Sequence, residues 1–154
     1  MAGEKYKTAS TGQQSAPEKK FRLHNSPQHA VIIGLGRSGM ATALFLRQQG
    51  LNVDVYDSND HPLLEDELQQ LAPDISVTGG SLKVARWRDD SLLVVSPGVP
   101  LSHPELSPLL DSGVRPIGDV ELFAQCVKGR VIAITGSYGK STVTALVGEI
   151  LRAA

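Results

Sequence analysis

A chain of 154 residues that is 41% hydrophobic and 20% charged holds enough apolar material for one ordinary soluble domain and little more. Its formal net charge of -1 leaves no basic excess to displace counterions, which excludes a nucleic-acid-binding surface. One cysteine, Cys126, rules out an internal disulfide and speaks against a zinc cluster, and no run approaches the roughly 20 apolar residues of a membrane span.

No signal-peptide core stands at the N-terminus, so a cytoplasmic protein is expected, with Cys126 a small buried core residue. Residues 1–28 are rich in Gln, Ser, Thr, Pro and Lys without apolar periodicity and read as a disordered leader. Order begins with the apolar strand Ala30-Val-Ile-Ile. Gly34-Leu-Gly-Arg-Ser-Gly39 follows, and Met40, Ala43, Leu44 and Leu46 then mark a helix that stops at Gly50. This is G-x-G-x-x-G after a strand and opening a helix. Gly34 makes the tight turn, Gly36 lets a ligand phosphate approach the backbone, and Gly39 allows close helix–strand contact. A structural turn without ligand is the alternative.

A second strand, Asn52 to Tyr56, ends at Asp57, eighteen residues beyond Gly39 and near the spacing of about 20 at which an acid meets a ribose. Asp57-Ser-Asn-Asp60 is equally good turn chemistry, and both readings stand. His61 to Ala72 has the apolar spacing of a helix, Ile75 to Thr78 that of a short strand, and Val84 with Trp87 suggests a helical turn beside solvated Arg86 and Arg88. Leu92 to Val95 is a continuous apolar run, as in a strand buried on both faces of a parallel sheet. It runs into the rigid turn Ser96-Pro-Gly-Val-Pro100, at the strand end where open α/β sheets bind ligands. A helix from near Pro104, a short strand from Val114 to Ile117 and a helix capped by Asp119 complete this part. His24, His29, His61 and His103 lie scattered at loops and the leader, with no metal or triad spacing.

After a hinge at Val127 to Arg130 comes a second βα pattern. Val131 to Ile134 reads as a strand, Gly136-Ser-Tyr-Gly-Lys-Ser-Thr142 as a phosphate-binding loop, and Val143, Leu146, Val147, Ile150 and Leu151 as one face of a helix. The two glycines let N–H groups turn towards phosphate oxygens, Lys140 reaches the β/γ-phosphates, and the Ser141 hydroxyl sits on Mg²⁺. The spacing G-x-x-G-K-S is shorter than the general pattern, because Ile134 stands where the first glycine belongs.

In this order GLGRSG, Asp57, SPGVPLSHPEL, GDVELF and ITGSYGKSTVT resemble the N-terminal part of the D-glutamate-adding Mur ligases of peptidoglycan synthesis, from about Ala30 to the last residue. The resemblance implies an α/β architecture: a Rossmann-like parallel sheet with helices on both faces over residues 29–127, then the first strand, phosphate loop and helix of a truncated ATPase domain over 128–154. It implies a monomer whose partners are UDP-N-acetylmuramoyl-L-alanine and D-glutamate, with ATP and Mg²⁺ as cofactors and no nucleic acid or membrane. The uridine diphosphate site comprises Gly34, Leu35, Gly36, Ser38, Gly39, Asp57, Ser58, Ser96 and Gly98. ATP is held by Gly136, Ser137, Tyr138, Gly139, Lys140, Ser141 and Thr142, with Lys140 catalytic and Ser141 on the metal. In that scheme the substrate carboxylate takes the γ-phosphoryl group of ATP, and the amine of D-glutamate attacks the acyl phosphate.

Two departures follow from the same resemblance. Ser137-Tyr138 stands where the family has Thr-Asn, so an amide that contacts substrate is lost. The sequence stops at Ala154, before the other metal-holding side chains and the D-glutamate domain, so this polypeptide alone is expected to be an incompetent ligase. Two other functions fit parts of the chain. A nicotinamide-binding Rossmann module of an oxidoreductase fits GLGRSG and Asp57 but leaves ITGSYGKSTVT unexplained, and a nucleotide-sensing fragment needs the same sites without turnover.

Overall fold

The computed structural model describes residues 27–84 and 87–153. Strand β1 (His29–Ile33) has all five residues buried, which an unbroken apolar run permits only when both faces of the sheet are covered. Its alternate side chains feed two cores. Ala30 and Ile32 join Val53, Val55, Leu46, Leu68 and Leu122 on one face, whereas Val31 and Ile33 join Leu82, Leu93, Leu106 and Tyr56 on the other.

Helix α1 (Arg37–Gln48) starts from Gly36 without a side-chain cap and stops because Gly50 turns left-handed, at φ 87°. The Gly50 N–H donates to the Arg47 carbonyl at 2.8 Å and the Leu51 N–H to the Leu46 carbonyl at 3.2 Å. Leu46 and Leu51 both lie in the first core, so this is a Schellman stop with its hydrophobic contact. Strand β2 (Asn52–Tyr56), helix α2 (Glu65–Leu71), strand β3 (Ser76–Thr78) and strand β4 (Ser91–Val95) follow, then helices α3 (Ser107–Asp111), α4 (Asp119–Cys126) and α5 (Lys140–Ala153). The sheet order is β3-β2-β1-β4 and every pair is parallel, from His29↔Asn52 and His29↔Ser91 at one end to Ile33↔Tyr56 and Ile33↔Val95 at the other. This is the expected Rossmann-like α/β arrangement. The strand order reverses beside β1, so β1 and β4 end at a topological switch point.

Several boundaries differ from the sequence expectation, each for a local reason. The helix expected over 61–72 is α2 only, because residues 61–64 turn around Pro62, whose carbonyl accepts the Glu65 N–H, and Leu63 is left exposed. The helix expected from Pro104 forms only at Ser107, after turns closed by His103 N–H to Pro100 and Leu106 N–H to His103. The strand expected at 114–117 is a single bridge, Val94↔Ile117, since Pro116 has no N–H with which to extend a ladder. Gly118, not Asp119, caps α4; the Asp119 carboxylate accepts from the next N–H, that of Val120, and places negative charge in the first turn. Val84 and Trp87 pack on the second core outside any described helix, while Ala85 and Arg86 lie outside the described residues. Cys126 is half-buried rather than buried.

The leader expected over 1–28 lies outside the described residues as far as residue 26, but Pro27 is buried and the Gln28 carbonyl accepts the Asn52 N–H at 3.0 Å. His29, expected in a loop, is the first residue of β1 and is buried. The largest difference concerns Val131 to Ile134, which form no strand; Val131 and Ile132 are 56% and 59% exposed. A strand exists through a neighbour's hydrogen bonds, and among the described residues none lies beside this segment. Helix α5 forms as expected, yet none of its described residues is buried.

Candidate functional site

The C-terminal ends of β1, β2 and β4 converge on one crevice of about 740 Å³. Its floor is the β1–α1 loop. The Gly34 N–H donates to the Tyr56 carbonyl at 2.7 Å, and its φ of 94° is one that favours glycine. A side chain there would also meet Val99 at 2.9 Å and Ser96 at 3.0 Å. Gly39 lies under the loop rather than in the crevice: a Cβ on it would stand 1.9 Å from the Gly34 carbonyl oxygen. Gly39 is therefore what lets α1 pack against the end of β1, whereas a Cβ on Gly36 would meet nothing within 4 Å.

The loop is tied to both neighbouring strands. From β4, the Ser96 N–H donates to Ile33 at 2.9 Å and the Ser96 hydroxyl donates to the Gly34 carbonyl at 2.8 Å. From β2, the Asp57 carboxylate accepts the Leu35 N–H at 2.6 Å with one oxygen, and the Asn59 N–H and side-chain amide at 2.8 and 2.9 Å with the other. Asp57 and Ser96 are both buried, at 8% exposure, so the bonds to Leu35 and Gly34 are shielded from water and hold the loop in one shape. The main-chain N–H groups from Gly36 to Gly39 have no partner among the described residues. Those orphan donors at the start of a helix, beside the open Gly36, are groups that an anion would satisfy.

Of the residues expected to bind the uridine diphosphate, Gly34, Leu35, Gly36, Ser38, Asp57, Ser58, Ser96 and Gly98 all line this crevice, and Gly39 supports it from below. Sequence reasoning missed Arg37, Asn59 and the apolar rim of Pro62, Leu63 and Leu64. The signal for Arg37 lay in the loop motif itself. The rim carried a helical pattern that concealed it.

The second loop is separate and shares no lining residue with the crevice. Gly139 takes the left-handed turn at φ 75°, and the Lys140 ammonium donates to the Gly136 carbonyl at 2.5 Å across the loop mouth. Residues 137 and 139–142 are exposed, and Tyr138 is 96% exposed. Nucleotide phosphates fit such a loop, with Lys140 moving from a carbonyl to a phosphate oxygen. For Mg²⁺ the described residues offer the Ser141 hydroxyl and no cluster of three or more His, Cys, Asp or Glu. That suits an ion held mainly by phosphates and water, with one protein ligand.

Two further features are present, and the second shares Arg37 and Ser38 with the crevice. At the opposite end of the sheet, buried His29 bridges Ser91 and Asp54, at 2.7 Å through Nδ1 and 3.1 Å through Nε2. Between α1 and α4 runs an apolar groove of about 580 Å³ lined by Phe45, Leu122, Phe123 and Cys126, where burial pushes the Cys126 thiol above its ordinary range. No described helix is long and apolar enough to cross a membrane.

A family model described as Mur ligase MurD-like, N-terminal domain, matches residues 28–118, which include every strand of the sheet. Among curated relatives, the UDP-N-acetylmuramoylalanine–D-glutamate ligase of Sodalis glossinidius is 46% identical over 127 residues, covering 82% of this chain and 28% of the relative. The ligases of that name from Koribacter versatilis and Acidobacterium capsulatum are 44% and 45% identical over 126 and 125 residues, covering 81% and 80% of this chain. The chain thus spans less than a third of these relatives, at 28% and 27% of their lengths.

Proposed function

The chain belongs to the MurD-like Mur ligase family, through that family's N-terminal domain, and from this premise we propose that its crevice binds the uridine diphosphate of UDP-N-acetylmuramoyl-L-alanine. The observation that carries the proposal is the set of unpartnered N–H donors from Gly36 to Gly39, fixed by Asp57 and Ser96 at the switch point of the sheet. A diphosphate satisfies those donors, and its charge suits the positive end of α1. Ser58 and the Leu63–Leu64 rim lie further out, where a uracil ring finds both polar and apolar neighbours. Both oxygens of Asp57 already hold protein donors, which suits an organiser of the site better than a free ribose acceptor of the nicotinamide kind.

On this reading residues 29–127 form the substrate-nucleotide domain and 128–154 open an ATP-binding unit. The role of Gly136, Ser137, Gly139 and Thr142 is to wrap the ATP phosphates. Lys140 neutralises the transferring phosphoryl group, and the Ser141 hydroxyl gives Mg²⁺ one ligand. The whole reaction is the ATP-driven addition of D-glutamate through an acyl phosphate, in cell-wall synthesis. Phosphoryl transfer depends on positioning, and among the described residues no strand pairs with Val131 to Ile134. The 154-residue chain is therefore a binder of the uridine substrate without ligase turnover of its own.

Calorimetric titration of the chain with UDP-N-acetylmuramoyl-L-alanine and, separately, NAD tests the crevice. Saturable binding of the uridine nucleotide alone is the expected result, and binding of NAD alone would overturn it. A coupled assay with ATP and D-glutamate that showed turnover by this chain would overturn the second statement.

A further inference from the structure

We propose that Arg37 is the residue by which this crevice reads the number of phosphate charges on its nucleotide, making it selective for a diphosphate over a monophosphate or a bare nucleoside. The inference rests on the uridine diphosphate reading above and adds to it a side chain that the sequence reading assigned to no role. Arg37 is the first residue of α1, is exposed, and lines the crevice next to the open Gly36. Its guanidinium makes no hydrogen bond or ion pair among the described residues; the three pairs present are His29–Asp54, Arg47–Asp74 and Arg152–Glu149.

Its placement is also electrostatically adverse in the free protein. A cation in the first turn opposes the helix dipole, and α1 has no acidic residue in that turn to offset it. Among the described residues, Arg37 and Asp57 are the only ionisable side chains lining the crevice, and Asp57 is committed to Leu35 and Asn59. Asp119 lines the groove on the other flank of Arg37 without pairing to it. An anion in the crevice would answer both the unpaired guanidinium and the unpartnered N–H groups behind it. The planar fork of arginine can span two phosphate oxygens, so a second phosphate adds a contact that main-chain donors alone do not supply.

The test is a ladder of UDP, UMP and uridine titrated into the 154-residue chain and into its Arg37→Leu and Arg37→Lys variants. Affinity in the parent should rise with each phosphate. Arg37→Leu should weaken UDP by about tenfold, the size of one charged hydrogen bond, with uridine changed by less than about twofold. Arg37→Lys should retain most of the preference, and neither exposed substitution should lower the unfolding midpoint; Arg37→Leu, which removes a cation from the first turn of α1, should raise it slightly. A parent that prefers UDP with an Arg37→Leu variant that prefers it equally would overturn the role of Arg37 and leave the uridine diphosphate reading intact. Equal weakening of UDP and uridine would assign Arg37 to the fold instead and overturn the proposal. A parent that binds no uridine ligand, or binds UDP no better than uridine, would overturn both readings together.

Discussion

The Asp57 carboxylate at the end of β2 accepts the Leu35 main-chain N–H at 2.6 Å, which ties the glycine-rich loop after β1 to the neighbouring strand. A buried charged acceptor holding three N–H donors is among the stronger local bonds in the fold. Asp57→Asn keeps the shape but replaces one acceptor oxygen by a donor, which faces either Leu35 or Asn59. The variant should lose about 1–3 kcal/mol of stability and also bind the uridine nucleotide more weakly. Urea unfolding beside calorimetry checks it; unchanged unfolding with lost binding would make Asp57 a ligand contact rather than an organiser.

Gly36 and Gly39, to which the motif gives different roles, also have opposite surroundings in the structure. Gly39→Ala drives a methyl group into the Gly34 carbonyl at 1.9 Å, and because that atom is backbone the strain has no cheap release. It should cost about 3 kcal/mol or more, in the range of overpacked cores. Gly36→Ala places its methyl in open space at an ordinary φ of -87°, so stability should hold while the nucleotide loses its approach to the backbone. Thermal unfolding of both variants, with a UDP titration of the second, separates the two roles. Equal unfolding midpoints would contradict the assignment.

How far the sequence could be read depended on whether a feature was local. GLGRSG carries its own geometry, since the turn at Gly34 and the close approach at Gly39 are properties of consecutive residues. Continuous apolar runs likewise located β1 and β4 to within a residue. What failed was pairing across distance. Val131 to Ile134 is as apolar as β1, and nothing in its composition told whether a neighbouring strand lies beside it. The rim formed by Pro62, Leu63 and Leu64 was concealed because leucines before a helix have the same spacing as leucines within it. Asp54 and Ser91 stand 25 and 62 positions from His29, and only the sheet register brings them together.

That histidine bridge gives a prediction independent of the ligand. The Asp54 carboxylate only accepts, so Nε2–H donates to it, while Nδ1 shares a hydrogen bond with the Ser91 hydroxyl, which also accepts the Arg88 N–H at 3.1 Å. The ring thereby joins β2, β1 and β4 at the end of the sheet away from the crevice. His29→Ala should lower stability by about 1–3 kcal/mol, with UDP affinity unchanged in the fraction that is folded. A denaturant midpoint equal to that of the parent would show that the bridge contributes nothing.

The Cys126 thiol, pushed up by burial beside Phe45 and Phe123, should stay protonated in the folded chain at pH 8. Alkylation by iodoacetamide should therefore be slower in the native protein than in urea, because the thiolate is the nucleophile. A folded value raised above 9.0 stabilises the native state fully below that pH and loses its contribution as the pH climbs past the folded value. Unfolding curves at pH 8 and at about pH 10 should differ by more in the parent than in Cys126→Ala. Equal alkylation rates in both states would place the thiol in water.

The last prediction concerns Tyr138, which is 96% exposed in the middle of the second loop. The aromatic side chain contributes no burial there, so its replacement should leave stability unchanged. An asparagine amide at this position supplies a donor and an acceptor between Gly136 and the left-handed Gly139, in the place where the resemblance to the ligases implies an amide. Tyr138→Asn should strengthen binding of Mg-ATP or of UDP-N-acetylmuramoyl-L-alanine by about fivefold, the effect of one neutral hydrogen bond. Calorimetry with each ligand separates the outcomes. A gain with ATP places the amide on the nucleotide, and a gain with the uridine substrate requires the loop to reach the crevice when substrate is bound. No gain with either would mean that Tyr138 does not limit binding and that the loop waits on a sheet around Val131 to Ile134.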